Sequence, residues 1–440
     1  MADKEALAYV KTLVLAALLG FPVAFGAVLF QTAIHDLTHV VWDVVPDEFG
    51  WSEPAWWYVL LVPGIAGLLV AAAVRLPGHG GHSPLEGLGA EPIAPIALTS
   101  ILTAALATLS LGLVLGPEAP LIALGLGLGA LAVRMIRLEG TSAQLLTFAG
   151  AFAAIAALFG GPLVAAFLLF EVTAASGNIP AQQIGRALLP GFVAAGTGAL
   201  VFTGVAGWDG LHQTSLSVPG LPAYDSVRIS DIAWCLVLAA LVAIVVVAIR
   251  HLAHRIAAQP SVNPVALLVA AGLGVGALAL VFRSIADRPV DLVLFSGQTE
   301  LPAIVAEGSA GVLVLLVVAK GLAYALSLGS GFRGGPVFPA IALGVAAAMA
   351  AADVFPSLHT TPAVAAGIAA GTTAVLRVPF TAVLLATLLM GSSAFDVAPI
   401  AVLAAAMAWL VATALPNPED RRHKDGPVME EQMETAPAPV

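Results

Sequence analysis

The sequence predicts an all-α, polytopic membrane protein built from a duplicated module, with some helices too short to cross a bilayer. Three observations carry this. Sixty per cent of the residues are hydrophobic and only ten per cent are charged, against about 25% charged in soluble domains. Roughly fourteen to sixteen apolar segments of helical character follow one another along the chain. One short pattern occurs twice, first as Gly116-Pro117-Glu118-Ala119-Pro120-Leu121 and again as Gly335-Pro336-Val337-Phe338-Pro339-Ala340. Pro120 and Pro339 are 219 positions apart (339 − 120), and the later pair Pro162 and Pro379 are 217 apart (379 − 162). Offsets this close argue for one repeated unit. Matched, Gly/Pro-interrupted segments in two halves of a membrane protein point to a transport site.

In order, residues 1–5 are a short polar start. The apolar segment 8–30 follows Asp3, Lys4 and Glu5 with no small-residue cleavage pattern after it, so it reads as a retained helix rather than a signal peptide. Segments 8–30, 55–75, 231–250 and 264–282 reach the length of about 20 residues that a spanning helix needs. Segments 162–175 and 362–376 fall short. They must stop inside the membrane, where broken backbone is tolerated only against protein or a water-filled cavity. The first transmembrane repeat is expected over 1–205, a polar connecting loop over 206–230, the second repeat over 231–415, and a disordered tail over 416–440. Arg421, Arg422 and Lys424 follow the last helix closely, which favours a cytoplasmic C-terminus. The abundant glycines, 44 in all, suit close helix packing. Cys235 is the sole cysteine, so no intrachain disulfide is available. The net charge of −10 is held largely by the tail and loops and says little about a substrate.

Four segments can carry chemistry. At Gly116–Gly125, proline suits the start of a helix, so a helix beginning near Pro117 would offer free N–H groups and a positive dipole end, a ready anion site. Glu118 lies in that first turn, in apolar sequence, where an ionisable residue is functional by default. Its carboxylate can occupy the anion site, then swing away or protonate to admit a diffusing anion. The second copy, Gly334–Gly344, reads as another loop entering a helix start. Two such starts converging would suit an anion. The third segment, His79-Gly80-Gly81-His82-Ser83-Pro84-Leu85-Glu86, is polar and glycine-rich. His79, His82 and Glu86 raise the alternative of a membrane-embedded metalloenzyme, although a loop fixes ligands poorly. In the fourth, Pro162 opens a helix that Glu171 ends. Glu171 is either a proton relay or a helix-end residue reaching water. No Gly-Lys-Ser/Thr phosphate loop is present, and no Ser-His-Asp arrangement is readable. No cofactor, enzymatic activity or nucleic-acid partner is expected.

Together these four segments resemble the CLC family of chloride channels and chloride/proton antiporters. Gly116-Pro117-Glu118-Ala119-Pro120 looks like its G-(K/R)-E-G-P element, whose glutamate is the gate. Gly80-Gly81-His82-Ser83-Pro84 looks like G-S-G-I-P, and Gly335-Pro336-Val337-Phe338-Pro339 looks like G-x-F-x-P. The resemblance covers about 10–410. It implies two inverted-topology repeats, a plasma-membrane homodimer with one pore per subunit, and an interface near 163–200 and 379–414. It also implies an anion held by Gly81, His82, Ser83, Glu118, Ala119, Gly335, Val337 and Phe338. There are departures. The family's central serine falls at Gly81, its late tyrosine has no counterpart, and Pro117 and Pro336 lack N–H groups. The antiporters' internal proton glutamate falls at Val172, beside Glu171, and the regulatory domains of some members are absent. The expectation is CLC-like chloride or other small-anion transport, channel-like or weakly coupled, gated by Glu118. The runner-up is a proton-coupled antiporter using another acid.

Overall fold

The computed structural model describes residues 2–89, 91–175, 184–205, 217–259 and 263–416, with Trp208, Asp209 and Leu211. The expected tail, from residue 417 on, and most of the expected loop between 206 and 216 lie outside them. Among the described residues there is no strand, and ten helices are long and apolar enough to cross a membrane.

The chain opens with α1 (Ala2–His39), a π-helical turn (Val40–Val44) and the short α2 (Val45–Glu48), followed by α3 (Trp56–Ala73) and α4 (Ala97–Ser110). The core of the first repeat is α5 (Glu118–Ile136), α6 (Gly140–Phe159), α7 (Pro162–Ala175) and α8 (Ile184–Val205). Then come α9 (Ile229–Ala257), α10 (Pro264–Ala286), the six-residue α11 (Leu301–Ala306) and α12 (Ala310–Gly329). The second core is α13 (Val337–Val354), α14 (Thr360–Leu376), α15 (Pro379–Met390) and α16 (Ala394–Ala414). The short segments expected at 162–175 and 362–376 are α7, with 14 residues, and α14, with 17; α4 and α15 are short as well, which the sequence reading did not single out. α15 has 12 residues and so rises only about 18 Å, less than the hydrocarbon thickness of about 30 Å.

The two repeats pack by the same plan. α5 lies on α6 as α13 lies on α14; α1 crosses α6 and α8 as α9 crosses α14 and α16. The glycines explain how the backbones come so close. A Cβ at Gly125 would strike the Gly150 carbonyl, and one at Gly344 would strike the Gly367 carbonyl. Gly125 and Gly344 are 219 apart (344 − 125), Gly150 and Gly367 are 217 apart (367 − 150). These are the offsets already seen for the prolines, so the duplication extends to the crossing points themselves. α6 and α14 also stop alike, on left-handed residues 217 apart (377 − 160), Gly160 at φ 62° and Arg377 at φ 60°. The α3–α10 pair uses the same device, with Gly272 and Gly276 against the carbonyls of Pro63 and Val59. Without water to drive association, such contacts and their dispersion energy hold membrane helices together. The architecture is an all-α polytopic membrane fold of two inverted-topology repeats.

Candidate functional site

The two copies of the repeated pattern meet. Gly116 N–H donates to the Gly335 carbonyl at 2.7 Å, and Gly335 N–H returns a bond to Gly116 at 2.5 Å. Each glycine is followed by a proline that serves as N-cap, Pro117 for α5 and Pro336 for α13. The helices therefore begin one residue later than the sequence suggested for Pro117. Pro120 and Pro339 occupy the third helical position and lack an N–H. That restricts the free donors of the first turn to Glu118 and Ala119 on α5, and to Val337 and Phe338 on α13.

Glu118 is fully buried between these starts. Its Oε1 accepts the Phe338 N–H at 2.8 Å, while Oε2 has no partner among the described residues. A carboxylate of the first repeat thus sits at the positive end of a helix of the second, where a charge-assisted bond is strongest. The glycines make this possible: a Cβ at Gly335 or at Gly116 would overlap the Glu118 carboxylate. Phe338 is fixed from the other side by Phe159 at the end of α6, with ring centroids 5.8 Å apart.

Three residues of α12 that the sequence reading passed over hold the surroundings. Lys320, Tyr324 and Ser327 are spaced to share one helix face. The Tyr324 hydroxyl donates to the Pro336 carbonyl at 2.7 Å, and Ser327 Oγ accepts from Val114 N–H at 3.1 Å. The three N–H donors of buried Lys320 are shared among four consecutive carbonyls, Leu292 to Phe295, at 2.9–3.3 Å. Those carbonyls turn inward in part because Phe295 is left-handed, φ 58°. A cavity of about 200 Å³ lies beyond, bounded by Trp42, Pro117, Phe295 and the acids Asp43, Asp291 and Glu300. Burial pushes the Glu300 carboxyl above the usual carboxylate range. The signal that finds Lys320 was present: it is an ionisable residue in an apolar segment, the same rule that selected Glu118.

The other singled-out residues lie elsewhere. His79, Gly80 and Gly81 take left-handed conformations, and Arg333 of the second repeat clasps their loop, donating to the carbonyls of His82 and His79 at 3.2 Å each. Gly81 explains its own lack of a hydroxyl. Its φ is 74°, and a Cβ would approach Ile101 Cγ1 to 2.8 Å. The His82 imidazole faces Glu86 at 3.5 Å, with both side chains substantially exposed. Ser83 leads into a single 3₁₀ turn, Pro84–Glu86. Among the described residues, no three His, Cys, Asp or Glu side chains form a group that could hold a metal ion. Glu171 does not end its helix, which continues to Ala175. Its carboxylate caps α15, accepting from Phe380 N–H at 3.0 Å, Thr381 N–H at 2.7 Å and the Thr381 hydroxyl at 2.5 Å. Glu118 and Glu171, two acids of the first repeat, therefore each bind the first turn of a helix of the second.

Two repeats whose broken helices start against each other, with a carboxylate lodged between them, define a membrane transport protein for small anions. The sequence matches the family model described as "Voltage gated chloride channel" over residues 85–413, and the chain belongs to that family. A relative in Escherichia fergusonii, named for ion transport as YfeO, is 32% identical over 315 residues, covering 69% of this chain and 70% of its own. A YfeO from an Escherichia coli strain is 31% identical over the same shares. The crystal structure of a slow cyanobacterial Cl⁻/H⁺ antiporter superposes with a TM-score of 0.76 at 18% identity, covering 97% of this chain and 98% of that one. A CLC-type fluoride/proton antiporter superposes at 0.70 with 21% identity, over 92% and 95%. At such identities these two likenesses concern the fold.

Proposed function

We propose that the protein conducts chloride and other small anions passively or with weak coupling, through a path gated by Glu118. The observation that carries this reading is the Glu118 carboxylate bonded to the first turn of α13 at 2.8 Å. A carboxylate there competes with a mobile anion for the same N–H groups. The anion's contacts are then the N–H groups of Ala119, Val337 and Phe338, with Gly335 giving room. The loop of Gly81, His82 and Ser83 flanks the approach on the side where Arg333 binds it.

A second reading, proton-coupled antiport, is supported by the descriptions of both solved neighbours as proton antiporters. The passive reading is favoured by Val172, an apolar residue at the place of the antiporters' inner acid, and by Glu171, which is engaged by three donors of α15. The metalloenzyme alternative draws no support from the loop at His79, His82 and Glu86. The chain is taken to act as a homodimer in the plasma membrane with its C-terminus in the cytoplasm. Exposed apolar side chains at Leu163, Phe167, Phe192, Phe380 and Phe395 support an interface over the expected segments, and Arg250 and Arg377 gathered beside Pro416 support the orientation.

The deciding experiment is anion efflux from proteoliposomes with simultaneous recording of pH. Chloride efflux without matched proton movement supports the passive reading. Stoichiometric proton counter-movement establishes the antiporter, and no anion flux at all refutes both.

A further inference from the structure

The cavity of about 200 Å³ beside Pro117 has an unexpected charge for a path that carries anions. Asp43, Asp291 and Glu300 line it, and among the described residues no lysine or arginine does. The acids come from separate elements: Asp43 from the π-helical turn, Asp291 from a 3₁₀ turn (Val290–Leu292), and Glu300 from the N-cap of α11. π-turns within helical runs recur at functional sites. Here the turn also supplies Trp42, an aromatic wall. The indole N–H donates to the Ser110 carbonyl at 3.1 Å, and Phe295 meets the ring edge-on with centroids 5.6 Å apart. A wider space of about 570 Å³ shares Asp291, Thr299 and Glu300 with the cavity, so these residues stand where the two spaces meet. The cation lining the wider space, Arg288, is already paired with Glu307 at 2.6 Å.

Glu300 gives the second, independent sign of a ligand. Its Oε1 accepts from the Thr299 hydroxyl at 2.6 Å, while Oε2 is buried with no partner among the described residues. Burial pushes this carboxyl above the usual carboxylate range although Lys320 acts on it through space. The Lys320 ammonium is committed to the carbonyls of Leu292 to Phe295. Buried charges are ordinarily paired. Gln298, also on the lining, has a buried Nε2 without a partner, and its amide can present oxygen or nitrogen. With histidines counted as neutral, three acids and Lys320 leave a net charge of −2 (−3 + 1). The acids do not form a group that could hold a metal ion. A charge excess spread along a cavity suits a cation whose charges are themselves apart. The volume lies below the range of about 300–1,000 Å³ for drug-sized ligands, so the ligand is small.

We infer that the acid-lined cavity is a binding site for a small organic dication, a short aliphatic diamine, with one ammonium at Glu300 and the other toward Asp43. Each ammonium brings three donors to carboxylate acceptors. The chain between them lies against Trp42 and Phe295, and a cation near the face of a tryptophan gains further attraction. Pro117 forms part of the wall and Glu118 follows it directly, so an occupied cavity obstructs the path beside the gate. That consequence, unlike the binding itself, rests on the anion-transport reading above.

The test uses the full chain in detergent, with calorimetry and three probes of similar length: putrescine, butylamine and butanediol. The wild type should bind putrescine, bind butylamine more weakly, and not bind the uncharged diol. Glu300→Gln and Asp43→Asn should each weaken putrescine by about tenfold or more, as for a charge pair that loses one partner. Glu53→Gln, at an exposed acid outside the cavity, should leave the affinity unchanged. Equal binding of putrescine and butanediol overturns the site, and so does no binding of putrescine. Binding that Glu300→Gln and Asp43→Asn leave untouched overturns it as well, since that is attraction to surface acids at large. Should Glu300→Gln not fold, Asp43→Asn and the comparison of diamine with diol on the wild type decide. In liposomes, putrescine on both sides should slow chloride efflux through the wild type and slow it less through Glu300→Gln. Undiminished efflux at saturating putrescine would overturn the obstruction. Absence of anion flux without any amine would instead count against the transport reading, and the binding result would stand apart from it.

Discussion

Glu118 is the residue on which the reading turns, and its chemistry gives a direct test. The carboxylate holds the α13 start only while it carries charge; a neutral group competes poorly for a helix N-terminus. Glu118→Gln keeps the shape and removes the charge. The variant should pass chloride with little dependence on pH, whereas the wild type should be faster in acid, where protonation releases the helix. Superimposable pH profiles in liposome efflux would remove Glu118 from the gate. Lys320 gives a second test of a different kind. Its ammonium serves four buried carbonyls, and an unsatisfied buried polar group costs about 1–3 kcal/mol. Lys320→Met should therefore lower the melting temperature in detergent clearly, and an unchanged melt would show that the carbonyls find other partners. The two residues also show what the sequence made legible. Glu118 stood beside glycine and proline in a repeated pattern, so position and chemistry pointed to it together. Lys320 and Tyr324 lay in an unbroken apolar run, and their meaning depends on carbonyls 12 to 28 positions away, which no local pattern encodes.

At the scale of elements, the repeat was legible because the helix-starting prolines keep their spacing. The crossing points keep it too, through Gly125 with Gly150 and Gly344 with Gly367, although a glycine pair acquires significance only once the helices are seen to touch. This makes a prediction specific to backbone contact. Gly367→Ala directs a methyl group into the Gly344 carbonyl, where neither backbone can give way easily, so it should destabilise by about 1–3 kcal/mol in the manner of overpacking. Gly26→Ala, in α1, meets only ordinary contact with Leu128 at 3.5 Å and should be close to neutral. Equal melting of both variants would mean that α13 and α14 are free to separate. The capping of α15 by Glu171 is the element-scale feature that the sequence hid. The acid was visible, but its three donors come from residues 209 and 210 positions later. A helix-end residue reaching water and a residue capping a distant helix look alike in sequence.

Across the whole molecule the question is how charge moves from one face to the other. Arg250 and Arg377 lie together beside Pro416, and Arg333, just before α13, is bound to the glycine-rich loop; the cavity of about 200 Å³ carries Asp43, Asp291 and Glu300. Anions are drawn to the arginines, while the acids of the cavity can exchange protons with the solution there. Coupled transport needs a proton route that also reaches Glu118 from the side of the arginines. Val172 cannot relay a proton. Glu171 points about 100° away from it around α7, and its carboxylate is held by Phe380 and Thr381. Carrying a proton would cost it those bonds, because a protonated carboxyl accepts less strongly. An imposed chloride gradient should therefore not drive protons uphill, and Val172→Glu alone should not restore pumping, since Gly81 has no room for the hydroxyl that would help retain the anion. Glu171→Gln should leave passive chloride flux in place while loosening the start of α15. The measurement is external pH during chloride-driven flux in lightly buffered liposomes. Reproducible uphill proton movement that disappears in Glu118→Gln would overturn the passive reading, and its further loss in Glu171→Gln would make the α15 cap the proton's inner station.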